Sequence, residues 1–260
     1  MVSHLKELYR YRDLLFSLAI RDIKVRYRQT ILGVAWAILQ PLAFMLIFTL
    51  VFARFGKMSS EGSPYPIFSY TGLVPWTFLA TGLSLAVNSI AANINMVKRI
   101  YFPREVFPIG VILGCLVDFV IAFSLIGAMM IVYRVPAHPQ LIWLPWLVAI
   151  EVLFLISVSL IVSALNVFYR DVKYIVPLAV QLGMFVTPVI YSASMVPAHL
   201  RRWYMLNPMA VVIDGIRGII LHGQAPALHS LVLATVVAVA LTIAAYAYFK
   251  RVEVKFADLI

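Results

Sequence analysis

Two carboxylates, Asp118 and Glu151, stand in the middle of long apolar runs, where a charge costs at least about 2.5–3.5 kcal/mol on insertion scales. Acids so placed must face protein or water. Either they line a polar path or relay a proton, or, neutral and hydrogen-bonded, they fix helix packing. No basic residue lies within an apolar run to pair with them, which favours the packing role. The five histidines offer little more. His138, His199, His222 and His229 lie in or near loops, and His4 is at the N terminus. No Gly-x-x-x-x-Gly-Lys-Ser/Thr loop, His-Glu-x-x-His motif or Cys/His cluster with metal spacing occurs, so neither phosphate-cradling nor zinc chemistry is encoded. The single cysteine, Cys115, excludes an intramolecular disulfide and reads as a small packed core residue. The chain is therefore expected not to be an enzyme and to hold no cofactor or metal of its own. The absences weigh less against glycosyl transfer, which can use scattered carboxylates.

A second group of residues suggests borrowed energy. Met96, Val97, Lys98, Arg99, Ile100, Tyr101, Phe102, Pro103 and Arg104 form a short basic and aromatic segment between two apolar runs. It reads as a docking element, through which a chain without catalytic motifs is driven by a partner protein. A third group is a stripe. Trp36, Gln40, Phe44, Phe48 and Phe52 recur every four residues and share one helix face. Aromatic faces bind sugar rings through CH–π contacts and still let them slide. The same spacing also describes ordinary core or lipid-facing aromatics. Tyr65, Tyr70, Trp76, Trp143 and Trp146 read as interfacial anchors.

The elements that must position these groups are membrane spans. The 260 residues are 63% hydrophobic and 12% charged, with a mean hydropathy of +0.96, against about 25% charged in soluble domains. A hydrocarbon core of about 30 Å needs roughly 20 apolar residues per helix. Six runs qualify, near 31–52, 67–90, 106–133, 141–167, 174–191 and 228–249. Both termini then lie on one side. With that side cytoplasmic, most of the 21 Lys and Arg residues fall inside, leaving Arg54, Lys57, Arg134, Arg201, Arg202 and Arg217 outside, as the positive-inside rule requires. The net charge of +10 thus reflects topology and contact with anionic membrane lipids and does not point to nucleic acid.

The ends of the spans carry two further features. Lys6, Arg10, Asp13, Ser17, Arg21, Lys24 and Arg28 fall on one side of a helical wheel, opposite Leu5, Leu8, Tyr11, Leu15, Leu18, Ala19 and Ile23. This predicts an amphipathic helix on the inner membrane surface. Arg12, Asp22 and Arg26 interrupt its apolar side, so part of that side meets protein or water. The first thirty residues lack the apolar core and cleavage site of a removable signal peptide. Near the other end, 196–221 mixes Pro197, Arg201, Arg202, Asn207, Pro208, Asp214 and Arg217 with apolar residues. Irregular backbone at membrane depth needs protein or a water-filled cavity around it. The stretch is read as two short helices dipping into the outer leaflet, broken at Asn207-Pro208. Asp214 and Arg217, three apart, can pair on one helix face. With no repeat, the chain reads as one transmembrane domain over 1–260: an interface helix over 1–30, spans one to five over 31–191, outer gate helices over 192–224, and the sixth span with a cytoplasmic tail over 225–260.

Four local matches place these features in a family. They are Arg-Asp-Ile-Lys-Val-Arg-Tyr-Arg-Gln-Thr-Ile-Leu-Gly-Val-Ala-Trp at 21–36, Met-Val-Lys-Arg-Ile-Tyr-Phe-Pro-Arg-Glu at 96–105, Asn-Val-Phe-Tyr-Arg-Asp-Val at 166–172, and Thr-Pro-Val-Ile-Tyr at 187–191 followed by Asn207-Pro208. In this order the chain resembles the membrane subunit of ABC-type polysaccharide exporters, which move O-antigen, capsule and teichoic-acid chains. The resemblance implies an all-α integral membrane fold of six spans, working as a homodimer with two separate ATPase subunits that bind ATP and Mg. It implies export of a glycan linked to a polyprenyl lipid across the bacterial inner membrane. Met96 to Arg104 would then be the coupling helix, and Trp36, Gln40, Phe44, Phe48 and Phe52, with Tyr191, would line the channel. Asn207, Pro208, Asp214 and Arg217 would belong to the outer gate. Two other readings stay open: an ABC-type drug or lipid exporter on the same six-span plan, and an ion-coupled secondary transporter using Asp118 and Glu151.

Overall fold

Proline and glycine set where the helices start and stop. In the computed structural model, which describes residues 9–28, 30–55, 60–99, 102–197, 199 and 204–256, the chain is helical, and no strand occurs among the described residues. The elements are α1 (Arg12–Tyr27), α2 (Trp36–Phe48), α3 (Tyr65–Ala86), α4 (Ser89–Ala92), α5 (Ile94–Arg99), α6 (Val106–Val132), α7 (Leu144–Phe168), α8 (Val172–Val186), α9 (Pro208–His222) and α10 (Leu228–Val252). Short 3₁₀ turns precede α2 and α7, and α2 continues as a π-helical stretch, Thr49–Phe55. Pro208 opens α9, where a missing N–H costs nothing, and the Asn207 side chain accepts from Met209 N at 3.0 Å. Gly223 closes the same helix at φ 61°, the left-handed conformation open to glycine, with the Gln224 N–H returning to the Gly218 carbonyl at 2.8 Å. Thr187 ends α8 in an extended conformation, as a residue before proline must.

Helices lie within the expected runs, but among the described residues four segments are both long and apolar enough to cross a bilayer: Gly33–Phe52, Val106–Val132, Pro139–Phe168 and Leu228–Lys255. Each exception has a physical reason. α3 has 22 residues, yet it is sheathed in protein by α2, α6, α7, α8 and α9. Buried from lipid, it tolerates Ser69, Tyr70 and Thr71 inside the core. α8 has 15 residues, about 22 Å at 1.5 Å per residue, and ends at Thr187-Pro188. The expected run to 90 likewise breaks after Ala86, and Asn166 of α7 donates to Asn88 at the break (3.4 Å).

Glycines bring the helices close. The Leu155 side chain lies where a Cβ on Gly82 of α3 would sit, at 2.7 Å, and Leu147 lies over Gly215 of α9 at 2.9 Å, so α7 nests into both. The main core surrounds α3, with Ile67, Tyr70, Leu73, Ile112, Leu147 and Ile216 fully buried. A smaller cluster gathers Leu18, Ile90, Phe102, Phe107, Phe249 and Phe256 at the end of the bundle that holds α5 and the C-terminal turn.

The N-terminal helix packs along the first half of α6. Leu18 of α1 meets Gly110 of α6, Ile23 meets Gly114, and Arg26 pairs with Asp118, so α1 and α6 run in step and in one direction. Its apolar side therefore covers protein. The Arg26 interruption is what reaches Asp118.

Candidate functional site

The aromatic stripe stands on the least buried span. Trp36 is 51% and Phe44 43% exposed, and Gln40 is exposed beside them. Phe44 and Phe48 lie 6.0 Å apart by ring centroid, and Phe48 and Phe52 5.7 Å, so the rings form a continuous ladder up the helix. At its lower end Trp36 and Gln40 enter the wall of a cavity of about 110 Å³ between α1, α2, α3 and α6, with Arg26, Tyr27, Thr77 and Asp118. Tyr191 stands apart from the ladder. Its hydroxyl lies 3.2 Å from both the Phe185 and Val186 carbonyls and 2.8 Å from the Tyr204 hydroxyl, tying the turn after α8 back to that helix.

The cavity supplies Asp118 with partners from outside the apolar runs. Arg26 of α1 pairs with its carboxylate and Tyr27 donates to it. Cys115 is buried on the same face, with its sulfur 3.7 Å from Arg26 Nη2. Asp118 thus fastens the N-terminal helix to α6. Glu151 is fully buried between the Leu147 and Leu155 contacts, and neither of its oxygens is hydrogen-bonded.

The docking segment begins in α5 and ends at the head of α6. The backbones of Val97, Lys98 and Arg99 complete α5, while their side chains, and all of Ile100 and Tyr101, lie outside the described residues. Met96 packs partly buried against the smaller core. Phe102 is 4% exposed, its ring edge-on to Phe107 at 5.3 Å, and Pro103 is buried. Arg104 donates to the Glu253 carbonyl and stands 5.7 Å from the Phe256 ring centroid. Within this chain, then, Phe102 and Arg104 face inward.

At the opposite end α9 stands as a post within the bundle. Most of its 15 residues are buried. Arg217, 3% exposed, lies across the Phe68 ring at 3.9 Å, and each of its three terminal nitrogens donates to backbone carbonyls. The acceptors are Phe68 (3.2 Å), Pro188, Val189 and Tyr191 (3.0 Å). Asp214, one turn earlier on the same helix face, is exposed; its charge favours the charged guanidinium, and the carbonyls supply these hydrogen bonds. Gly72 of α3 makes room for the guanidinium: a Cβ there would come within 2.4 Å of Nη2 and 2.6 Å of the Val189 carbonyl oxygen, which cannot step aside. Gly72→Ala is expected to cost about 1–3 kcal/mol by overpacking, read as lower thermal stability of the purified chain; an unchanged melting profile would mean that the cradle is slack. Nearby, Glu61 receives the Ser192 hydroxyl and stands 3.5 Å from His222 Nε2. Burial raises its pKa, but the Ser192 and Ser194 hydroxyls, His222 and Arg217 together hold it below the usual carboxylate range.

Sequence reasoning singled out the segment, the stripe and the Asn207-Pro208 break, but not the Arg217 cradle or the bonds from Glu105 to α10. No group of three His, Cys, Asp or Glu residues placed to hold a metal occurs among the described residues. The arrangement sets a partly exposed aromatic face on α2 between the buried α9 at one end and the 96–104 segment at the other.

Comparison with known proteins gives the family. Two O-antigen export system permease proteins named RfbA are each 30% identical to the chain, one from Myxococcus xanthus over 100% of both chains and one from Klebsiella pneumoniae over 95% of both. The polysialic acid transport protein KpsM of Escherichia coli is 23% identical over 88% of this chain and 91% of its own. The ABC-2 type transporter family matches residues 13–221, most of the chain, and the protein accordingly belongs to the ABC-2 type transporter family of multi-pass membrane proteins.

Proposed function

We propose that this chain is the permease of an ATP-driven exporter that carries a polyprenyl-linked polysaccharide, of the O-antigen class, out across the bacterial inner membrane. The observation that carries the reading is the likeness to O-antigen export permeases from end to end at 30% identity. A homodimer of six-span subunits forms the conduit, both termini are cytoplasmic, and a separate ABC ATPase subunit binds ATP and Mg. Trp36, Gln40 and Phe44 lie exposed on one subunit, as a wall shared with a second copy would be, while Phe48 packs partly against the main core. The 96–104 segment receives the ATPase through Lys98, Arg99, Ile100 and Tyr101, since Phe102 is spent on the chain's own core. α9 closes the outer end, moving as one body with the 188–191 turn that Arg217 binds.

The test uses inverted membrane vesicles holding this chain and an ABC ATPase subunit. ATP is expected to drive a polyprenyl-diphosphate-linked glycan into the vesicle lumen. Lys98→Glu with Arg99→Glu is expected to weaken ATPase association at least about tenfold, as loss of an interface anchor does. Transport of dyes or phospholipids in place of glycan would favour a drug or lipid exporter. Uptake driven by a proton gradient without ATP would make the protein a secondary transporter.

A further inference from the structure

Glu105 directly follows the docking segment and stands at the N-cap of α6, where an acidic side chain would ordinarily bond the first free N–H groups of its own helix. It does not do so. Its carboxylate, fully buried, turns across to α10, where one oxygen accepts from the Tyr246 hydroxyl at 2.9 Å and the other from Lys250 Nζ at 2.9 Å. Lys250 also binds Glu253 Oε1 at 3.0 Å and lies over the Tyr246 ring at 5.6 Å. Arg104, one residue earlier, donates to the Glu253 carbonyl and faces Phe256, whose ring packs against Phe249 at 5.7 Å and Phe168 at 5.9 Å. Two consecutive residues thus grip a single turn at the end of α10.

We propose that Glu105 and Lys250 are positioning residues that clamp the docking segment to the last span, so that displacement of the segment by its driving partner is delivered to α10 and through it to α7. This rests on the reading of 96–104 as the ATPase seat. A desolvated ion pair contributes little net stability, because the cost of removing both charges from water offsets their attraction; what it does specify is a register. The grip is also arranged to transmit. α10 is fastened to α7 by Trp146 Nε1 donating to Thr235 Oγ1 at 3.1 Å, by Ser157 and Thr242 hydroxyls 2.8 Å apart, and by Thr242 donating to the Leu153 carbonyl at 3.3 Å. α7 in turn nests into α3 and α9 through Leu155 and Leu147. The path runs from the segment, through Glu105 and Lys250, to the helix that abuts the α9 post.

The test is made on the assembled transporter in vesicles, measuring ATP hydrolysis, glycan export and ATPase retention on the same preparation. Glu105→Gln keeps the shape and the Tyr246 bond, and Lys250→Met removes the opposing charge. Each is expected to lower export per ATP hydrolysed about tenfold, the scale on which residues along a coupling path act, with ATPase retention unchanged. The double variant is expected to fall no further than the worse single one, because both remove the same contact. Lys250→Arg, which keeps charge and donors, is expected to stay within about twofold of wild type. Wild-type export per ATP in the singles overturns the clamp, as do losses that multiply in the double variant or that follow only the amount of assembled complex. A wild-type chain that does not retain the ATPase at all would instead sink the docking reading, and the clamp with it.

Discussion

Phe102→Ala is expected to lower the stability of the folded chain by about 3–5 kcal/mol, the range for deleting a buried aromatic ring. The ring sits where the docking segment turns into α6. It is enclosed by the smaller core with Leu18, Ile90, Val106 and Phe249, and meets Phe107 edge-on. Sequence reasoning would give Phe102 the same role as Tyr101, an anchor offered to the partner. The two roles separate cleanly in an experiment. An anchor's removal leaves the free chain as stable as before and weakens only the complex. A core residue's removal lowers the unfolding temperature of the purified chain before any partner is added, and weakens the complex only in proportion. Thermal unfolding in lipid nanodiscs, with ATPase binding measured on the same samples, decides between them. A Phe102→Ala chain within about 1 kcal/mol of wild type, well below the cost of a core truncation, would move the ring out of the core and back to the interface.

The contrast shows what was legible in the sequence and what was not. Helices in apolar runs were legible, because a span must satisfy its backbone internally and its composition advertises this. The α9 start was legible because Asn207-Pro208 encodes a cap by local chemistry. α3 was harder to place, since a helix sheathed in protein no longer needs an apolar surface and its Ser, Thr and Tyr residues blur the signal. The partners of charged residues were not legible at all. Asp118 finds Arg26 across 92 positions, and Glu105 finds Lys250 across 145. Spacing rules reach only three or four residues along a helix, so they offered Asp214 for Arg217. They could not anticipate four carbonyls from α3 and from the turn after α8. The stripe was legible as a stripe, and its exposed face is consistent with a pathway, with lipid or with a second subunit.

Replacing Arg217 is expected to loosen the outer end more than any single change on α9. With Arg217→Met, a side chain of similar reach but without donors, the carbonyls of Pro188, Val189 and Tyr191 lose the guanidinium that binds them. The Phe68 carbonyl is less affected, because the Thr71 hydroxyl also reaches it at 2.9 Å. Each buried polar group left without a partner costs about 1–3 kcal/mol, so three together predict a loss of at least about 3 kcal/mol. Arg217→Lys should recover less than half of it, since one compact ammonium cannot spread over acceptors that the planar guanidinium binds with separate nitrogens. The damage should also be local. α9 would keep its Asn207 cap and its seat against Leu147, while the 188–191 turn lost its tether to α9. Protease cleavage near 188–195 in the variant, at a temperature where wild type resists and where α10 is still protected, is the signature expected. Cooperative melting of the whole chain with no earlier cleavage in that turn would mean that Arg217 supports the bundle at large, and α9 could then not be the separately held outer closure assigned to it here.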